Sequence, residues 1–339
     1  MKNRTSFDGR WELLGLRAGV LSNRWIRLVV LPELGGKLWS LEYRPLAHEW
    51  LWHNPRIQVS RLFLGAPFDE NWAGGADLAF PSCHTSHWND WPVPELGELW
   101  SIPWDLRFDE DDEAGTLTLS AGGRIWPITV TRTIRLPHDR PIVELGFEIA
   151  NIGPEPCPFI MGLHPALAIA PGYRIDLPPG KVRVDEAKGD MGVADQEYLW
   201  PMLPTLNGQR DMRRIPPQSQ GEYGGHFFWP TGPDLWWSVT DQKSKTGIGL
   251  VASHEQFEGF WMWQVYGGWR GYYHLALEPW TSYPITLHEG VEAGTAQWLV
   301  AGQPYSAQTR LVCFEGYDAV SRIDPDGTVV GHNSRLTKG

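Results

Sequence analysis

Cysteine, basic clusters and long apolar runs are all scarce in this sequence. No stretch approaches the ~18 consecutive apolar residues of a membrane-spanning helix. The opening Met-Lys-Asn-Arg-Thr-Ser-Phe-Asp-Gly-Arg carries no apolar segment of the signal-peptide kind. Formal net charge is -11 with no Lys/Arg-rich run, so the electrostatic footprint of a nucleic-acid binder is missing and an anionic membrane is an unfavourable partner. Cys83, Cys157 and Cys313 lie far apart, which suits reduced thiols better than a disulfide framework or a Cys-based zinc site. These absences together predict a cytoplasmic protein. No P-loop, dinucleotide-binding fingerprint or nucleophile-elbow serine stands in a suitable context, and His254-Glu255-Gln256-Phe257-Glu258 lacks the second His of a zinc-protease helix. Nor does any stretch hold a 3.6-residue apolar period over a dozen residues, so long amphipathic helices are not expected.

What the chain has in excess is tryptophan, with 20 Trp against 12 Phe and 10 Tyr. A core does not need that bias, because Leu, Ile and Val fill volume well. Trp offers a broad apolar face plus one N–H donor, which suits the C–H faces and hydroxyls of a sugar ring, although most of the 20 are expected to pack the core. Between Gly, Pro and Asn punctuation the chain reads as strands, at residues 11–19, 25–31, 37–43, 49–52, 116–121, 125–136 and 141–151. Further strands are expected at residues 235–240, 247–253, 259–265, 272–277, 295–301 and 309–315, with a closing hairpin at 323–330 about Asp326-Gly327. Residues 56–103, rich in Gly, Pro, Trp and His, read as a long ordered loop region of the functional kind. Many strands without helices, and no linker or composition shift, predict one all-β domain over residues 1–339, with a core at about 10–316 and a tail at 317–339.

Two positions stand out for chemistry. Glu278 ends the alternating run His274-Leu275-Ala276-Leu277, where Pro279 is expected to stop ladder pairing, and aromatic residues crowd both sides. A poorly solvated carboxylate gains proton affinity and becomes a candidate general base. Its bland alternative is a loop Glu capping backbone N–H groups or pairing with Arg270. His164, before Pro165, has the same local design, and its alternative is a satisfied structural histidine. His84 and His87, with Asp90 nearby, fit hydrogen bonding to substrate hydroxyls better than metal ligation, because no third ligand is evident. Trp261, Trp263 and Tyr266 fall partly in register on one strand, as groove floor or as sheet packing. Arg270 is placed to orient Glu278 or to bind a hydroxyl or the carboxylate of an acidic sugar.

The segments Leu31-Pro32-Glu33-Leu34-Gly35-Gly36-Lys37-Leu38, Gly74-Gly75 to Phe80-Pro81, Gly97-Glu98-Leu99-Trp100-Ser101-Ile102-Pro103-Trp104, residues 142–164 and Leu277-Glu278-Pro279 together resemble the galactose mutarotase-like superfamily, which includes aldose 1-epimerases. The resemblance runs in order through most of the chain. It implies a large antiparallel β-supersandwich with a sugar-binding groove and no organic cofactor or metal. It also implies that Glu278 removes the proton of the anomeric hydroxyl while His164 protonates the ring oxygen, and that Glu98, Trp104, Trp263 and Arg270 help bind the sugar. An imidazole has the only unperturbed pKa near neutrality, and a neighbouring carboxylate is expected to hold it protonated.

Departures from the family pattern shape the substrate reading. Leu96-Gly97 stands where the family has His-Gly, so His84 or His87 is the candidate replacement. Trp100 takes the place of the Arg of hexose-6-phosphate mutarotases, which leaves a phosphate without its cationic partner, and His226 stands for the family's Asp. The implied activity is therefore interconversion of the α and β anomers of a free, non-phosphorylated sugar, by a monomer or homodimer. Two alternatives are a non-catalytic carbohydrate-binding protein and a glycosidase or lyase using Glu98 and Glu278 as its carboxylate pair.

Overall fold

A computed structural model describes residues 4–206 and 208–333. Among these residues the strands build one 12-stranded and one 8-stranded antiparallel sheet, the all-β sandwich expected. Side chains from both meet in one apolar core, with Leu28, Leu41, Leu163 and Leu277 from the larger sheet and Leu117, Val130, Leu145 and Leu250 from the smaller. In the larger sheet the order runs from the Ser6–Leu13 edge through Leu16–Ser22, Ile26–Leu31, Lys37–Tyr43, Ala76–Ala79, Gly162–Leu167, Tyr273–Trp280, Gly259–Tyr266 and Glu222–Pro230 to Gly180–Lys188 and Glu197–Leu199. No helix among the described residues is long and apolar enough to cross a membrane.

Three expectations need correcting. Residues 11–19, read as one strand, form a hairpin in which Ser6–Leu13 pairs with Leu16–Ser22. The chain reverses at Leu14-Gly15, where φ is 52° and 80°, a primed turn lacking the usual Asn or Asp signal. The loop region 56–103 supplies Ala76–Ala79, a central strand of the large sheet. It also supplies the short Phe68–Asn71 helix. Neither His164 nor Glu278 sits at a strand end, for the strands run on to Leu167 and Trp280.

Prolines inside central strands are tolerated here because the two strands carrying them are neighbours. Gly162 pairs with Trp280 and Ala166 with Ala276, yet the residues between form no ladder pairs. The Ala166 N–H donates to Gly75 and the Thr281 N–H to Met161, each at 3.0 Å. By alternation the nitrogens of Pro165 and Pro279 therefore face one another's strand, and neither carries a hydrogen. Both missing donors fall in the same gap.

At the C-terminal end Ala319–Ile323 pairs with Val329–His332. The part of the expected 317–339 tail beyond residue 333 lies outside the described residues.

Candidate active site

The proline gap is where the site begins. The register flanking it sets His164 directly opposite Glu278, and residues directly opposite share a face of the sheet. The same lateral row continues on either side, with Asp77 paired to His164, Trp261 to Glu278 and Phe227 to Trp261. A parallel row runs Ala276, Trp263, Gly225 and Glu186. Gly225 is required there, because a Cβ would stand 2.6 Å from the Trp261 ring. Cross-strand register thus brings an acid, an imidazole and two indoles from distant segments onto one patch.

Above the patch is a pocket of about 260 Å³, at the small end of ligand-binding cavities. Glu278 and His164 line its floor, with Trp261, Trp263, Trp269, Phe68, Tyr223, Leu96 and Cys83 as walls and Asp69, His84, Glu95 and Glu186 as polar groups. Lysine and arginine are missing from this lining. His164 Nε2 lies 3.5 Å from Glu278 Oε1. Glu278 Oε2 accepts a hydrogen bond from Trp280 Nε1 at 3.1 Å, whereas Oε1 is buried and makes no hydrogen bond. A buried carboxylate oxygen without a hydrogen-bond partner strongly favours any donor that reaches it.

Burial governs the protonation of this pair. It lowers the His164 imidazole to about 4, which overrides the nearby Asp77 charge that favours the cation. Burial also raises the Glu278 carboxyl well above its ordinary value. The expectation that a neighbouring carboxylate keeps His164 protonated therefore fails: both groups are drawn to their neutral forms, and the proton favours Glu278. Rings surround the imidazole edge-on, Trp72 at 5.4 Å and Trp263 at 5.6 Å. Behind it Asp77 holds a buried ion pair with Lys37 Nζ at 2.5 Å and accepts from Trp72 Nε1 at 3.3 Å.

Other residues singled out from the sequence divide clearly. Trp263 and His84 reach the pocket. His87 does not; its ring packs on His288 at 4.5 Å. Glu98 is fully buried elsewhere, accepting from the backbone N–H groups of Arg124, Ile125 and Trp126, so it binds a loop rather than a ligand. That location also removes the proposed Glu98–Glu278 glycosidase pair. Trp104 is buried with its indole donating to the Leu99 carbonyl. His226 is buried between Tyr198 and the Met191 carbonyl. Arg270 lies outside the lining, held by Asp69 at 2.6 Å, and leaves Glu278 alone. Trp100, also buried, donates to the Glu95 carbonyl. No group of three or more His, Cys, Asp or Glu among the described residues could hold a metal ion.

Sequence reasoning missed Asp69 on the short Phe68–Asn71 helix, Glu95 in a turn, and Glu186 and Tyr223 on strands, none of which carries a periodic signal. It missed Asp77 as well, although a carboxylate inside Ala76-Asp77-Leu78-Ala79 was a legible oddity. At Leu96-Gly97 the backbone is left-handed, with φ of 56° and 71°. A Cβ on Gly97 would stand 1.8 Å from the Phe80 carbonyl oxygen, so this turn is fixed by glycine and presents Leu96 to the pocket.

No family model matches the sequence, and neither does any curated protein. Solved structures do match across nearly the whole chain. A galactose mutarotase-like protein from Clostridium acetobutylicum is 12% identical, with a TM-score of 0.67 over 92% of this chain and 99% of its own. A galactose mutarotase related enzyme from Lactobacillus acidophilus is 14% identical, with a TM-score of 0.62 over 88% of this chain and 97% of its own. A protein from Synechocystis sp. PCC 6803 is 18% identical, with a TM-score of 0.66 over 92% and 99%. The chain has the galactose mutarotase-like fold, and such identities show the fold alone.

Proposed function

We propose that this protein is an aldose 1-epimerase-like isomerase that interconverts the anomers of a free, non-phosphorylated sugar. The observation that carries the reading is the opposed pair His164 and Glu278, 3.5 Å apart at the floor of an aromatic pocket, with Glu278 Oε1 making no hydrogen bond. An anomeric hydroxyl is the kind of donor that this oxygen lacks. Transfer of the pair's proton from Glu278 to His164 generates the carboxylate base and imidazolium acid that ring opening needs. The carboxylate then takes the hydroxyl proton while the imidazolium gives its own to the ring oxygen, breaking the C1–O5 bond. Rotation of the aldehyde and the reverse transfers close the other anomer, so proton and charge balance over one turnover. A pocket lined by no lysine or arginine supports a substrate without phosphate. Three buried free thiols support a cytoplasmic setting.

Saturation-transfer NMR of α/β exchange across a panel of free aldoses tests this reading, with Glu278→Gln and His164→Ala as controls. Acceleration by the wild type that both substitutions abolish is the expected result. Sugar binding without acceleration of any aldose would overturn it in favour of a non-catalytic carbohydrate-binding protein.

A further inference from the structure

The pocket is unusual in the sign of its charge. Asp69, Glu95 and Glu186 line it, beside a Glu278 that burial draws to its neutral form, while the lining includes no lysine or arginine. Asp69 is matched by Arg270 at 2.6 Å. Glu95 and Glu186 have no cation within ion-pair distance among the described residues. The neighbouring charges of Asp69 and Glu70 add to burial in raising the Glu95 carboxyl. Glu186 accepts a hydrogen bond from the Tyr223 hydroxyl, which leaves its charge uncompensated.

Acidic groups alone would be a solvated rim. Here a second observation points to a ligand: Glu278, which lines the cavity, has its Oε1 buried without a hydrogen-bond partner. A sugar hydroxyl that satisfies it fixes the ring's depth, and the rest of the ring then lies among the remaining carboxylates, beside Trp263 and Trp269. Such walls attract a cation through Coulomb attraction to the carboxylates. They repel an anion. We propose that the pocket selects a sugar carrying a protonated amine over its neutral, N-acetylated and acidic counterparts. This inference rests on the sugar reading of the pocket and deepens it; it runs against one of the roles open to Arg270 from the sequence, binding an acidic sugar, since that charge is paired with Asp69.

The test is titration of the wild-type protein, by calorimetry or ligand-observed NMR, with 2-amino-2-deoxyaldoses, the parent aldoses, their N-acetyl derivatives and the uronic acids, in both gluco and galacto series. The amino sugar is expected to bind about tenfold tighter than its neutral parent at low salt, with the ratio shrinking as ionic strength rises. Glu95→Gln and Glu186→Gln should each lower that ratio. Equal binding of amino and neutral sugars, or tighter binding of a uronic acid, would overturn the proposal. Anomer exchange measured on the same samples keeps the two readings apart: exchange without amine preference sinks only this one, and amine-selective binding without exchange sinks only the isomerase.

Discussion

Glu278→Gln perturbs a single buried atom and separates catalysis from stability. Glutamine keeps an oxygen to accept from Trp280 Nε1, the 3.1 Å bond that anchors the side chain, so the fold should survive. What it removes is a carboxylate oxygen that is buried without a hydrogen-bond partner. General acid–base groups contribute about 10²–10⁴ in rate, and exchange should fall by that factor. Stability should move the other way. Burial raises the Glu278 carboxyl above its ordinary value near 4.5, so the folded chain holds this proton more tightly than the unfolded chain. The associated stability is fully present below about 4.5 and is lost as pH rises through the raised value. Glutamine does not titrate, so the variant's Tm should gain on the wild type as pH rises. The ceiling is the cost of an unsatisfied buried group, about 1–3 kcal/mol, or a few degrees in a chain of this size. Thermal denaturation from pH 5 to 9 reads this offset, and NMR exchange reads the rate. A variant that retains full exchange, or one whose Tm falls by a constant amount at every pH, would refute the reasoning.

Further outcomes follow from the same packing. Lys37→Met should strand the buried Asp77 charge and cost about 3–5 kcal/mol; adding Asp77→Leu should restore much of it, and a double-mutant cycle by chemical denaturation measures the coupling. His226, buried and lowered to about 4 from 6.5, favours its neutral form, so its stability is full above 6.5 and is lost as pH falls toward 4. In His226→Gln the decline of Tm over that window should be shallower than in the wild type. Glu98→Gln should weaken the loop at Arg124, Ile125 and Trp126 by about 1–3 kcal/mol while anomer exchange in the folded protein is retained; loss of exchange at full stability would return Glu98 to the site.

The sequence made some of this legible and hid the rest for physical reasons. Strands such as Lys37–Tyr43 and Ile142–Asn151 carry strong local signals, and the order of short motifs pointed to the fold. His164 and Glu278 were visible because each precedes a proline among apolar neighbours. That the two prolines face the same gap depends on a register between segments more than 100 residues apart, which no local pattern encodes. Arg270 and Glu98 were misjudged for a related reason: a charged residue's partner is set by tertiary placement, and theirs are Asp69 and the backbone of residues 124–126. The protonation of His164 turned on burial, and composition cannot say that desolvation will outweigh a neighbouring charge.

The paired prolines also leave the floor of the pocket with fewer cross-strand hydrogen bonds than the rest of the sheet. Elsewhere in the sheet, a change in strand spacing must stretch a run of hydrogen bonds. Across residues 163–165 and 277–279 the ladder pairs lapse and the two proline nitrogens donate nothing, so fewer hydrogen bonds set the separation there. A change in the distance between the imidazole and the carboxylate stretches fewer ladder bonds there than elsewhere, and the flanking pairs at Gly162 and Ala166 limit how far it can go. The sheet thus thins its own ladder at the point where the imidazole and the carboxylate face one another.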